Sequence, residues 1–137
     1  MEKVLFICTH NSARSQMAEG LLRHYYGTKY EVYSAGTQPS QVNPHAVKAM
    51  AELGIDISHY RAKHVAEFLE LSIDHIVTVC DHAKENCPIF PGGKNYHHES
   101  FENPSATRGT EEQILQIFRD VRDQIKAWIE KTFSGPS

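Results

Sequence analysis

The segment Cys8-Thr9-His10-Asn11-Ser12-Ala13-Arg14-Ser15 brings a cysteine, an arginine and a serine close together near the start of the chain. A cysteine thiolate is a nucleophile, and a guanidinium group binds a tetrahedral oxyanion through two parallel hydrogen bonds. The hydroxyl of Ser15 can also donate its proton to the cysteine sulfur. These residue types predict a site at which Cys8 attacks an oxyanion held by Arg14. The alternative is that Cys8 is a small buried residue at a strand end and Arg14 lies on the surface.

The elements predicted on either side of this segment favour the chemical interpretation. The apolar run 4–7 predicts a buried strand, and the helical spacing of apolar residues over 15–26 predicts a helix. A loop that joins a strand to a helix N-terminus turns its backbone N–H groups toward an anion and favours a thiolate at Cys8. Asn11 tolerates the left-handed backbone conformation that a tight loop needs. We therefore predict an oxyanion-binding loop formed by Thr9, His10, Asn11, Ser12, Ala13 and Arg14.

The rest of the chain alternates predicted strands with predicted helices. Further strands are predicted at 30–35, 75–79 and 94–97, and further helices at 44–53, 65–71 and 110–133. Asn43 before a proline is typical of a helix start, and Thr110 with Gln113 fits a capping box. This alternation predicts a single α/β domain over residues 1–137, with a parallel sheet covered by helices on both faces.

Two further cysteines, Cys80 and Cys87, lie far from Cys8 in the sequence. Ligands of parallel α/β sheets bind at the carboxyl ends of the strands. Because Cys8 follows the first predicted strand and Cys80 the third, both cysteines are expected at that edge. Zinc-binding cysteine pairs are usually two to four residues apart, a spacing that Cys80 and Cys87 do not have. The nine histidines are scattered, so we predict no metal site; a pair of buried thiols is the other alternative.

Composition and charge exclude several classes of protein. The net charge of -3 and the pI of about 6.3 argue against nucleic acid or an anionic membrane as a partner. No apolar run approaches the roughly 18 residues of a membrane helix, and the N-terminal apolar run is too short for a signal peptide. We therefore expect a cytoplasmic protein whose cysteines are reduced by default. We also expect the protein to be a monomer.

The oxyanion loop, together with residues 16–20, resembles the signature of the thioredoxin-coupled arsenate reductases that share the low-molecular-weight protein tyrosine phosphatase fold. The resemblance covers nearly the whole chain in order. It continues through residues 33–36, 43–47, 54–58, 77–80 and 109–112. It implies a three-layer α/β fold in which a four-stranded parallel sheet is flanked by helices.

The resemblance also implies a substrate and a mechanism. Arsenate would be attacked by Cys8, and the oxidation would then pass to Cys80 and on to Cys87, with thioredoxin as the final reductant and no cofactor. A phosphatase acting on phosphotyrosine or a related phosphoester is the main alternative, because it would use Cys8, Arg14 and Ser15 without the other cysteines. A non-catalytic oxyanion-binding or redox-sensing module is a third interpretation.

Two residues depart from the pattern of the family that the chain resembles. Asn103 stands before a proline where the phosphatases and most of these reductases have a general-acid aspartate, although Glu102 could substitute. The loss of a general acid weakens the phosphatase interpretation more than the reductase interpretation, because a phosphatase must expel a poor leaving group. Lys63 stands where some relatives have an aspartate that helps to hold a potassium ion. Its ammonium group could take that ion's place beside Asn11, Glu19 and Ser34; a solvated lysine is the alternative.

Overall fold

The computed structural model of the protein describes residues 1–80 and 90–134. Its strands are β1 (Glu2–Cys8), β2 (Tyr30–Gly36), β3 (Ile73–Thr78) and β4 (Gly93–His98). Its α-helices are α1 (Arg14–Tyr26), α2 (Pro44–Ala51) and α3 (Glu111–Phe133), and short 3-10 helices lie at Val65–Phe68 and Pro104–Ala106.

The four strands form one parallel sheet in the order β2-β1-β3-β4. Cys8 is paired with Gly36 at the carboxyl ends of β1 and β2. Beyond β3, the N–H of Val79 still donates to the carbonyl of Ile7 at 3.0 Å. The residues that follow these two partners are Cys80 and Cys8, so the sheet places both cysteines at the edge where ligands of such sheets bind.

The helix starts follow the capping residues in the sequence, whereas one predicted helix is wrong. Thr110 accepts from the N–H of Gln113 at 3.2 Å and completes the predicted capping box, and Asn43 caps α2. The helix predicted over 65–71 is only a 3-10 turn over Val65–Phe68. Phe68 is buried, but Leu69 and Leu71 are exposed, so a longer helix would have no continuous apolar face to bury.

The central strand β1 is buried on both faces, which explains its continuous apolar run. Val4 and Phe6 belong to the larger core, which also contains side chains from α1, α2 and α3. Leu5 and Ile7 belong to a smaller core on the other face, together with Phe68 of the first 3-10 helix. The predicted fold class, a four-stranded parallel sheet with helical elements on both faces, is confirmed. Within residues 1–80 and 90–134, no helix has the length and apolar character needed to cross a bilayer.

Candidate active site

The predicted oxyanion loop runs from the end of β1 to the start of α1. Cys8 is a free thiol and is only 2% exposed. Its Sγ lies 2.9 Å from Oγ of Ser15. Asn11 has the left-handed φ of 50° that the sequence predicted, and among the described residues it is the only one other than glycine with a positive φ.

Hydrogen bonds behind the loop indicate which way the Ser15 hydroxyl points. Nδ2 of Asn11 donates to Oγ of Ser15 at 2.7 Å and to Oγ of Ser34 at 3.0 Å. Ser34 in turn donates to Oε1 of Glu19 at 2.5 Å. Because Ser15 already accepts a proton from Asn11, its own hydroxyl proton is left to be donated to the sulfur of Cys8. A hydrogen bond accepted by the sulfur stabilises the thiolate, the nucleophilic form.

Lys63 lies directly behind the loop, in contact with Asn11 and Glu19, two of the three residues predicted to accompany it. Its backbone N–H donates to Oδ1 of Asn11 at 2.9 Å, and its Nζ lies 3.5 Å from Oε1 of Glu19. Nζ also donates to the carbonyl of Arg61 at 2.9 Å. The Lys63 side chain is only 13% exposed. Burial lowers the pKa of Lys63, and the nearby carboxylate of Glu19 opposes that shift.

Gly36 provides the space in which the loop lies against the end of β2. A Cβ atom at this position would lie 2.5 Å from the carbonyl oxygen of Thr9 and 2.8 Å from that of Cys8. It would also lie 2.9 Å from the backbone nitrogen of Asn11. Backbone atoms cannot move aside without reshaping the loop, so any larger residue at position 36 would displace the site.

A second segment, residues 38–43, lies alongside the loop and is hydrogen-bonded to it. Backbone N–H groups at positions 38, 40 and 43 donate to the carbonyls of Thr9, His10 and Ser12, at 2.9, 3.1 and 2.9 Å. These bonds join the carbonyl groups of the loop to the neighbouring segment. This segment was not predicted from the sequence to be part of the site.

A cavity of about 270 Å³ opens above the loop. Of the residues predicted to bind an oxyanion, Thr9 and Asn11 do not contribute to its described lining; their contacts given above are behind and beside the loop. The residues that line the cavity are Cys8, His10, Ser12, Ala13, Arg14, Ser40, Asn43, Asn103 and Ser105.

Arg14 and Asn103 enter this cavity from different elements. Arg14 is 3% exposed, and its Nη1 donates to the carbonyl of Phe101 at 3.2 Å. Asn103 caps the second 3-10 helix, since its Oδ1 accepts from the N–H of Ser105 at 3.1 Å. Oγ of Ser105 accepts from Nδ2 of Asn43 at 3.2 Å. Asn43 and Ser105 were not predicted to belong to the site; their position in the connections that follow strands β2 and β4 is the signal that could have found them.

Cys80 lies in the larger core beside Cys8 and is fully buried. It is disulfide-bonded, whereas Cys8 is not. Cys87, the third predicted redox residue, lies outside the described residues. Among residues 1–80 and 90–134, no group of three or more histidine, cysteine, aspartate or glutamate side chains could hold a metal ion.

Known proteins similar to this chain identify its family. The family model for low molecular weight phosphotyrosine protein phosphatase matches residues 3–134. An arsenate reductase of Halalkalibacterium halodurans is 46% identical over 131 residues, covering 96% of this chain and 94% of that protein. The chain belongs to the arsenate reductases of the low molecular weight phosphotyrosine protein phosphatase family. This membership accounts for the sheet order and for the loop that begins at Cys8.

Solved structures of this family superpose on most of the chain. An arsenate reductase in the phosphate binding state has a TM-score of 0.83 and 33% identity, covering 98% of both chains. A thioredoxin-dependent arsenate reductase of Corynebacterium glutamicum has a TM-score of 0.69 and 31% identity, and the match covers 98% of this chain and 64% of that one.

Proposed function

We propose that this protein reduces arsenate to arsenite, with Cys8 as the nucleophile. The observation that carries this proposal is the Cys8 thiol, in hydrogen-bond contact with Ser15, in a cavity that Arg14 also lines. The curated relative named above is an arsenate reductase, and one solved neighbour is an arsenate reductase in a phosphate binding state. Phosphate and arsenate are both tetrahedral oxyanions, so a loop of this kind suits either.

The proposed reaction has two chemical steps. In the first, the Cys8 thiolate attacks arsenic, a sulfur–arsenic bond forms, and one arsenate oxygen leaves as water. In the second, the Cys80 thiolate attacks the sulfur of Cys8, so that a disulfide forms and the sulfur–arsenic bond breaks. The electron pair of that bond stays on arsenic, which is thereby reduced from As(V) to As(III) and leaves as arsenite.

The disulfide must then be cleared from the site. We propose that Cys87 attacks Cys80 by thiol–disulfide exchange and restores the Cys8 thiol, and that thioredoxin reduces the resulting Cys80–Cys87 pair. Support comes from the position of Cys80 next to Cys8 and from its capacity to carry a disulfide while Cys8 remains a thiol. A related solved protein is named as thioredoxin-dependent. A relay of free thiols suits the cytoplasm, where we propose that the protein acts as a monomer.

A phosphatase is the second candidate, since Cys8, Arg14 and Ser15 would serve it equally. The amide of Asn103 is the observation against it. An amide cannot act as the general acid that an alkoxide or phenoxide leaving group needs, and the loss of such an acid costs about 10²–10⁴ in rate.

We also propose that the ammonium group of Lys63 replaces the potassium ion held by some relatives. Its contacts with Glu19 and the carbonyl of Arg61 put a fixed positive charge behind the loop. We therefore expect potassium and sodium chloride at equal ionic strength to give the same melting temperature and the same turnover. In a Lys63→Asp variant, potassium should stabilise the protein more than sodium does. Potassium-specific stabilisation of the unmodified protein would refute the proposal.

The function is tested by arsenate-dependent oxidation of reduced thioredoxin, run beside hydrolysis of p-nitrophenyl phosphate. We expect the first activity to be much the larger. Cys87→Ser should form one arsenite per chain and then stop with Cys8 bonded to Cys80, whereas Cys80→Ser should release none. Multiple turnovers by Cys87→Ser with thioredoxin would contradict the third step, and phosphoester hydrolysis without arsenate reduction would contradict the function.

A further inference from the structure

The first step of the proposed reaction needs a proton donor, and the cavity holds no carboxylic acid among its described lining residues. An arsenate oxygen that departs as water takes up a proton as its bond to arsenic breaks. In the aspartate-bearing proteins that this chain resembles, the residue matching Asn103 is the source. In this chain another residue must donate that proton. This inference rests on the proposed reduction of arsenate.

Asn103 caps a helix, and its amide group cannot donate a proton as an acid. Its Oδ1 accepts from the N–H of Ser105 at 3.1 Å, which fixes the amide as a helix cap. Glu102, the neighbouring carboxylate in the sequence, is exposed and is not among the residues that line the cavity. Neither residue is therefore positioned to act as the acid.

The titratable side chains among the described lining residues are Cys8, His10 and Arg14. They lie on the loop and at the start of α1, whereas the residues contributed by the 38–43 segment and by the second 3-10 helix are serines and asparagines. Cys8 is the nucleophile, and a guanidinium group does not release its proton in proteins. An imidazole takes up and releases a proton near neutral pH. By its chemistry, His10 is the lining residue that can serve as a proton donor.

The position of His10 suits this role. It lies two residues after Cys8 in the loop, and its backbone carbonyl accepts from the N–H of Ser40 at 3.1 Å. That bond joins the loop to the neighbouring segment and so helps to fix the backbone of His10. His10 is also exposed to solvent, so that the imidazole can be protonated again after each turnover.

We propose that the imidazolium group of His10 donates the proton that lets the arsenate oxygen leave as water. The Cys8 thiolate and dihydrogen arsenate form a sulfur–arsenic bond while one arsenic–oxygen bond breaks. The proton passes from His10 to the departing oxygen, which already carries one hydrogen, and water leaves. His10 becomes neutral imidazole, and arsenic remains As(V) until Cys80 acts. The general acid of this chain therefore lies in the oxyanion loop, and not at the position of Asn103.

Single-turnover formation of arsenite, measured by rapid quench from pH 5.5 to 9, tests this role. At neutral pH, His10→Gln should lower the rate by about 10²-fold or more, and any alkaline fall in the wild-type rate that arises from His10 should be absent from the variant. At the acidic end of that pH range, the double variant His10→Gln/Asn103→Asp should recover much of the rate. Its alkaline fall should occur at lower pH, because a carboxylic acid loses its proton earlier than an imidazolium. Glu102→Gln is the matched control and should behave as wild type.

Alkylation of Cys8 by iodoacetamide, mapped by mass spectrometry, separates proton donation from damage to the loop. It should proceed in His10→Gln at nearly the wild-type rate. An unchanged turnover rate and pH profile in His10→Gln would overturn the inference, as would an equal loss of alkylation and turnover. A wild-type protein that forms no arsenite would instead refute the proposed function.

Discussion

The oxyanion loop and the pair of histidines beside α3, His75 and His97, both hold polar side chains away from bulk solvent, but the first set is buried and the second is half-buried. Behind the loop, the side chains of Asn11, Ser15 and Ser34 donate or accept in one connected set of hydrogen bonds. In the histidine pair, Nδ1 of His75 lies 3.2 Å from Nε2 of His97. The loop network depends on one fixed geometry of its side chains. The histidine pair depends on whether its imidazole rings are protonated.

Aromatic rings surround the two histidines on the side of α3. The ring of His97 contacts those of Trp128 and Phe133, at centroid distances of 6.3 and 6.1 Å. Nε2 of His75 lies 3.3 Å from Oε1 of Glu2. Burial lowers the pKa of His97, and the charge of His75 lowers it further. Polar groups held away from solvent can therefore support catalysis through a fixed geometry or make stability sensitive to pH, according to what surrounds them.

The largest effect of breaking the loop network is expected from Asn11→Ala. The substitution leaves Ser15 and Ser34 without a donor and puts alanine at a positive φ, so we expect a loss of roughly 3 kcal/mol in the free energy of unfolding. Arsenate reduction should fall with it, because Ser15 is then free to turn away from Cys8. Asn95→Ala is the control, since Asn95 is exposed and its side chain donates to the carbonyl of Asp74, away from the loop. Urea denaturation and turnover measure both effects, and equal losses in the two variants would contradict the importance of the network.

A smaller, selective change is expected from Asn103→Asp. Aspartate caps a helix as well as asparagine does, so the fold should be preserved while a carboxylic acid enters the cavity. Hydrolysis of p-nitrophenyl phosphate should rise about 10²-fold or more, and arsenate reduction should change only modestly. Asn103→Ser keeps a capping residue without an acid and should show no rise. If Asn103→Asp left phosphatase turnover unchanged, residue 103 would not reach the leaving group.

The smallest effect is expected in the histidine pair. The folded protein holds the pKa of His97 below its ordinary value of 6.5, so the unfolded chain binds a proton first as the pH falls. Stability should therefore decrease as the pH drops through about 6.5. In His97→Asn this dependence should be weaker, whereas in His24→Asn, which changes an exposed histidine, it should be unchanged. Thermal melts from pH 5 to 8 provide the measurement, and identical slopes in the wild type and both variants would contradict it.

Local pattern was sufficient to predict much of the fold and of the loop. The apolar run of β1 and the helical spacing of α1 placed Cys8 between a strand and a helix, and the rule for carboxyl ends then placed Cys80 beside it. The left-handed Asn11 followed from the needs of a tight loop. The contact between Lys63 and Glu19 followed from the family resemblance, since the two residues are far apart in the sequence.

Other features depend on tertiary contacts that local pattern does not encode. Ser40 and Ser105 reach the cavity only because two separate segments fold against the loop. His75 and His97 meet only after β3 and β4 adopt their register, in which Val77 pairs with His97. The helix predicted over 65–71 was wrong because its apolar residues do not share a buried face, which became visible only in the packed structure.

Single-turnover arsenite release without thioredoxin tests the central claim, that Cys8 in this loop is the nucleophile that reduces arsenate. The reduced wild-type protein should form close to one arsenite per chain. Cys8→Ser should form none, while its circular dichroism spectrum and melting temperature remain close to those of wild type, because a buried thiol is replaced by a hydroxyl of similar size. Arsenite formation by Cys8→Ser at the wild-type level would contradict the account.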